Sequence, residues 1–281
     1  MALLYAGSTA LSFISGILLA RLLGAQGYGA YALALTTATL VGMVTEFGLP
    51  TLTLREVSVA RANGEWGPVR GLMNWSDTAI LGLSTVLVIG TLAGHELVAS
   101  DRNSPYLATL LWSVLLIPFV AFGKLRANAL LALDHVASSQ VPVMILRPAL
   151  FLASCAAIFW SAGHLAPTSA MAAQVCGAAG SMAVIFFLYR KYRPAELATA
   201  EPVRRVGTWL ATALPMGMTE GLRLLQGQLG LLLAGALAGT VQAGLYRVAD
   251  AVAMVTAVFI SVVGTAGTPM FGRLWKAGDY E

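Results

Sequence analysis

Apolar runs of membrane-spanning length alternate with short polar segments along the whole chain. A helix needs about 20 apolar residues to cross the hydrocarbon core of a bilayer. Eight segments approach or exceed that length: Leu3–Leu23, Tyr28–Phe47, Asp77–Val98, Tyr106–Phe122, Val141–Ala162, Thr168–Tyr189, Thr208–Leu233 and Leu245–Phe271. Membrane β-strands would instead show runs of about ten residues alternating with period two, and these runs do not alternate. The pattern predicts an all-α, polytopic membrane helix bundle of about eight transmembrane helices. The opening MALLYAGSTALSFISGILLARLL has no basic stretch before its apolar run. It reads as a retained first helix, not a cleaved signal.

The intervening segments differ in character. Thr51–Trp75 and Lys124–Gln140 mix apolar and charged residues. Each suits either an amphipathic helix on the membrane surface or an extension of the adjoining span. Arg190–Arg205, RKYRPAELATAEPVRR, is the most polar stretch, and its two prolines mark a linker.

Composition narrows the class. Of 281 residues, 58% are hydrophobic and 11% charged, and the mean hydropathy is +0.77. Soluble domains carry about 25% charged residues. Thirteen acidic and 17 basic side chains are too few to cover a water-soluble globule. A soluble enzyme, a nucleic-acid binder and a disordered chain are thereby excluded. With the N-terminus in the cytoplasm, 12 of the 17 basic residues fall in cytoplasmic segments, and three (Arg21, Arg102 and Arg247) fall outside. That asymmetry follows the positive-inside rule and sets the expected orientation in a bacterial inner membrane. Cys155 and Cys176 lie inside apolar runs without metal-ligand spacing, so no disulfide framework, metal site or cofactor is expected.

A short pattern recurs at an offset of 215 residues. Gly24, Gly29 and Tyr31 in GAQGYGAY match Gly239, Gly244 and Tyr246 in GTVQAGLY. Both copies follow one apolar helix and open the next. Glycine there permits positive φ and close backbone approach, and tyrosine suits the membrane interface. Transporters are often built from such repeats. The repeat predicts a six-helix lobe over 1–189, a cytoplasmic linker over 190–207, and the first two helices of a pseudo-symmetric second lobe over 208–281. A full second lobe needs four more spans, so the chain is expected to be a fragment, or to take its partner half from another chain or a second copy of itself.

Several stretches together resemble the polysaccharide-biosynthesis, Wzx-like flippases of the MATE/MOP transporter superfamily. They are LLARLLGAQGYGAYALA, FGLPTLTLREVSVARANGE, the LRP of span 5, GLYRVADAVA and PMFGRLWKAGD. The resemblance implies two six-helix lobes around a central cavity and alternating access. It implies a cargo, an undecaprenyl-pyrophosphate-linked oligosaccharide moved between leaflets, and cation-coupled exchange in some relatives. It also implies twelve or more spans, more than this sequence supplies.

Intramembrane charges are costly and tend to face a bundle interior or wet cavity. Glu220 lies about 16 Å into span 7 and Arg223 shares its helix face. Such a pair suits a pyrophosphate and a proton-exchanging carboxylate, or else a self-neutralising contact between helices. Gln226 and Gln228 extend this stretch, as partners for sugar hydroxyls or as helix-to-helix bonds. Arg147, before Pro148, sits about 9 Å into span 5 from the cytoplasmic side. It is either a lipid-pyrophosphate contact or an arginine snorkelling beside a proline kink. Glu46 and Asp250 are coupling or gating candidates, with an interface role and a local pair with Arg247 as the plainer alternatives. Asp134 and Glu56 are expected in solvated loops.

Rival functions leave traces that can be sought. A MATE-like exporter of small cations would favour unpaired acids in the cavity, whereas the deep acid here has a basic neighbour. A membrane glycosyltransferase or ligase would need a sizeable outer loop, and the longest, around Gly94–Pro105, offers His95, Glu96 and Asp101. His135 and His164 lack acidic or nucleophilic partners in pattern, and no nucleophile-elbow, P-loop or metal spacing occurs. No catalytic residue is predicted. A non-transporting remnant is the third reading.

Overall fold

A computed structural model describes residues 2–97 and 105–277, except for the side chains of 2, 3, 5, 6, 92, 95–97, 105, 106 and 254–277. The outer-loop candidates His95, Glu96 and Asp101, and also Arg102, therefore lie outside the described side chains. The chain forms α1 (Ala2–Glu46), α2 (Leu49–Asn63), α3 (Gly67–Leu97), α4 (Pro105–Ala132), α5 (Val136–Val141), α6 (Arg147–Ala162), α7 (Pro167–Tyr192), α8 (Ala195–Thr199) and α9 (Val206–Ala277). A π-helical turn, Pro142–Leu146, joins α5 to α6. The described residues contain no strand.

Six helical segments are long and apolar enough to cross a membrane. The fold is an all-α polytopic bundle, and two of its helices are hairpins. α1 is broken once, at Gly24 (φ 67°, ψ 174°), and α9 once, at Gly239 (φ 85°, ψ 179°). Those dihedrals are open only to glycine, so each single residue replaces the loop the pattern predicts between spans. In α1 the chain doubles back far enough that the Tyr28 hydroxyl lies 3.5 Å from where a Cβ on Gly16 would stand. The two breaks yield the eight predicted spans from six continuous helices.

The two mixed segments resolve differently. Left-handed glycines at both ends, Gly48 (φ 73°) and Gly64 (φ 76°), cut α2 off as a separate helix. Between Phe122 and Ala132 there is no such break, so α4 runs straight on through Lys124 and Arg126. The linker is bound down rather than free. Arg70 donates to the Ala200 carbonyl at 2.7 Å, and the Val203 amide donates to Gly67 at 3.1 Å.

Packing is that of a membrane protein. Leu81, Val86, Ile89, Trp160, Phe187 and Leu237 stand exposed, while Thr36, Thr45, Ser76, Thr109, Ser113 and Ser181 are buried. Lipid is as apolar as leucine, so small and hydroxylated residues gather where helices meet. One core joins Leu125 and Leu130 of α4 to Ile185 and Tyr189 of α7, with Val57 of α2 beneath. A second joins Tyr28 and Tyr31 to Phe151 of α6 and Met171 of α7. α9 docks on α1 through Leu231 and Ala243 against Ala32 and Leu33. Trp209 seals its start against Leu52 and Leu72, with the Trp75 ring centre 5.9 Å away and tilted by 34°.

Candidate functional site

The two hairpins meet at their glycines. A Cβ on Gly29 would fall onto the Thr240 carbonyl oxygen, and one on Gly244 onto the Ala25 carbonyl oxygen. Ala25 and Thr240 are themselves 215 residues apart, so the two contacts are reciprocal. The repeat thus divides its glycines by role. Gly24 and Gly239 supply the positive φ, and Gly29 and Gly244 supply the close approach.

Arg147 is aimed by its local backbone. Pro148 has no amide to give its turn of helix, and the Arg147 amide bonds instead to the Pro142 carbonyl, closing the wide turn. A π turn inserts an extra residue and re-aims the side chains after it. Ser181 of α7 holds the turn with a 2.7 Å bond from its Oγ to the Pro142 carbonyl. Arg147 then borders two cavities. The larger, about 280 Å³, is lined among others by Ser8, Ser12, Ser15, Tyr31, Gln174 and Arg247. The smaller, about 140 Å³, is lined among others by Thr39, Glu46 and Lys124.

Each remaining candidate charge has a partner. Lys124 Nζ meets Glu46 at 2.8 Å, with the Glu46 side chain only 13% exposed. Arg247 donates to Asp250 at 3.2 Å across one helical turn, and both are partly buried. Arg223 grips Glu220 with two bonds, Nη2 to Oε1 at 2.7 Å and Nε to Oε2 at 3.1 Å. The Arg223 side chain is 72% exposed. Gly221, two positions before it, packs on Met43 of α1, so Arg223 projects from the opposite face of α9. Arg223 and Glu220 border neither of the cavities described above. Gln226 is exposed on the same side. Gln228 turns the other way and accepts a 3.1 Å bond from Thr36 Oγ1, tying α9 to α1.

One ion pair, a buried arginine with a partly exposed aspartate, escapes a sequence reading. Arg126 and Asp77 join α4 to α3 through two parallel bonds. The guanidinium lies 5.6 Å from the Phe122 ring centre and 5.7 Å from that of Phe186. Sequence marks both residues as charges near span ends, but nothing in the spacing pairs them. Asp134, expected in a loop, is 76% exposed and paired with Arg61. Cys155 and Cys176 are free thiols, and the described residues hold no cluster of metal-ligating side chains.

Helical membrane bundles with repeated hairpins and intramembrane charge occur among multi-pass transporters. Residues 1–275 match the family described as polysaccharide biosynthesis protein. The chain belongs to that family, a family of flippase-type membrane transporters. Stage V sporulation protein B of Bacillus subtilis (strain 168) is 27% identical over 191 residues, which is 64% of this chain. The matched stretch spans 36% of that relative's length. No solved structure matches.

Proposed function

We propose that the chain works in moving an undecaprenyl-pyrophosphate-linked oligosaccharide from the inner to the outer leaflet of a bacterial cytoplasmic membrane. It does so by alternating access, with its N-terminus in the cytoplasm and no covalent chemistry of its own. The observation that carries this is the reciprocal crossing of the hairpins, Gly29 on Thr240 and Gly244 on Ala25. At that crossing the two repeats meet backbone to backbone, and repeat-built transporters work by rocking one repeat against the other. In this reading the chain divides into a six-helix lobe over 1–189, a linker over 190–207 and the start of a second lobe over 208–281.

In this reading Glu220, Arg223 and Gln226 form a polar stripe for the pyrophosphate and first sugars. The paired Glu46 and Asp250 are contacts that open and close. The Glu220 carboxylate is already held by Arg223, which favours an anionic headgroup over an exported cation. The direct test is a leaflet-translocation assay with the full transporter in vesicles carrying lipid-linked oligosaccharide. Arg223→Ala is expected to abolish flipping while folded protein is recovered at the wild-type yield. A wild-type rate from that variant removes Arg223 from the site. Wild-type protein that moves no lipid-linked sugar overturns the reading itself.

A further inference from the structure

We infer that the 280 Å³ cavity beside Arg147 is a binding site for a small inorganic anion of the phosphate class, separate from the oligosaccharide path. The argument starts from charge. Arginine stays protonated in proteins, and a cation held away from water without a partner is strongly disfavoured. Among the described residues no side chain hydrogen-bonds or ion-pairs with Arg147. Glu46, which shares the smaller cavity with it, is engaged by Lys124 at 2.8 Å. Arg247, on the wall of the larger cavity, is balanced by Asp250. Lys124 and Arg147 thus share the single carboxylate of Glu46, and one positive charge of that group remains uncompensated beside the cavity.

The walls suit an oxyanion. Among the described residues no Asp or Glu lines the larger cavity. Ser8, Ser12 and Ser15 fall at i, i+4 and i+7, one face of the first arm of α1. Ser15 spends its proton on the Leu11 carbonyl at 2.6 Å. Ser8 and Ser12 have no hydrogen-bond partner among the described residues, and Gln174 adds an amide. Tyr31 is fixed between Tyr28 and Phe151, with ring centres 6.4 Å away on each side. Size then limits the ligand. At about 280 Å³ the cavity stands at the lower end of sites for organic ligands, about 300–1,000 Å³, enough for a hydrated phosphate or pyrophosphate, and neither Glu220 nor Arg223 borders it.

The test measures binding, so it is read independently of flipping. The full chain in phosphatidylcholine nanodiscs is titrated with radiolabelled inorganic phosphate at constant ionic strength. Unlabelled phosphate, pyrophosphate and gluconate serve as competitors. Phosphate and pyrophosphate should compete and gluconate should not. Arg147→Gln should weaken binding about ten- to a hundredfold, the usual effect of losing a charge-assisted hydrogen bond. Arg147→Lys should retain most of it, and Arg204→Gln, at an exposed arginine of the linker, should leave it unchanged. Absence of saturable phosphate binding, or equal binding by Arg147→Gln that runs as folded protein on size exclusion, overturns the site. If free phosphate and pyrophosphate fail but undecaprenyl pyrophosphate in the nanodisc binds through Arg147, the cavity is a lipid-headgroup site and the inference falls.

Discussion

The hairpins α1 and α9 share one turn and differ in how they hold charge. Both break at a glycine with extended, positive-φ backbone, and each presses a second glycine onto the other's carbonyl. α1 is wrapped by α4, α6, α7 and α9. Ser8, Ser12 and Ser15 lie along one wall of the cavity that Arg147 also lines, with Ser15 buried and Ser12 exposed. α9 meets α1 along one face and leaves the other open, and there Glu220 and Arg223 neutralise each other. Neighbours make the difference. A wall built by several helices sets a cation before a polar cavity, while the pair on the exposed face of α9 closes within one helix.

The largest contrast to test lies between a pair with a buried arginine and an open one. Asp77→Ala should cost about 3–5 kcal/mol, because Arg126 would be left charged and buried between two phenylalanine rings. Glu220→Ala should cost about 0–1 kcal/mol, since an exposed pair contributes little. Thermal or mixed-micelle unfolding of both variants reads the comparison directly, and equal losses would refute it.

The close approach comes next. Gly29→Ala and Gly244→Ala should each cost about 1–3 kcal/mol, because the new methyl meets backbone that cannot swing aside. The double variant should cost clearly less than the sum, since both substitutions part the same crossing. Additive losses would mean that the two contacts are independent. Gly82, where a Cβ meets nothing within 4 Å, is the control. Gly82→Ala should be neutral or stabilising by up to about 1 kcal/mol.

The turn itself offers the most even-handed comparison. Gly24→Ala and Gly239→Ala should cost about 1–3 kcal/mol each, the strain of a dihedral region closed to side chains. Neither position has a neighbouring atom within 4 Å of the added Cβ, so strain is the whole effect. The two losses should agree within about 0.5 kcal/mol if the repeat is a structural one. The smallest effect concerns Gln228. Gln228→Leu removes one hydrogen bond from Thr36 between the hairpins, worth about 0.6 kcal/mol in a membrane.

Much of the fold was legible because lipid makes a strict demand. Every backbone polar group must be satisfied within its own span, so length and apolarity placed the helices. The offset of 215 also located the turn and the contact. The pair Asp77–Arg126 was not legible, because nothing local relates a residue of α3 to one of α4. Nor was the direction of Arg147. Sequence placed it beside a proline, but the π turn after Pro142 set which cavities it meets.

By itself the sequence determined the class: membrane-spanning helices, their approximate ends, and a glycine code repeated in two hairpins. Those features depend on single residues or runs, on hydropathy and on φ. The tertiary structure decided which charges meet. It gave Glu46 to Lys124 and Asp77 to Arg126, turned Arg223 outward, and left Arg147 with no side-chain hydrogen bond or ion pair of its own among the described residues. Electrostatic pairing acts through a few ångströms of space, and residues far apart along the chain reach that range only when the helices pack.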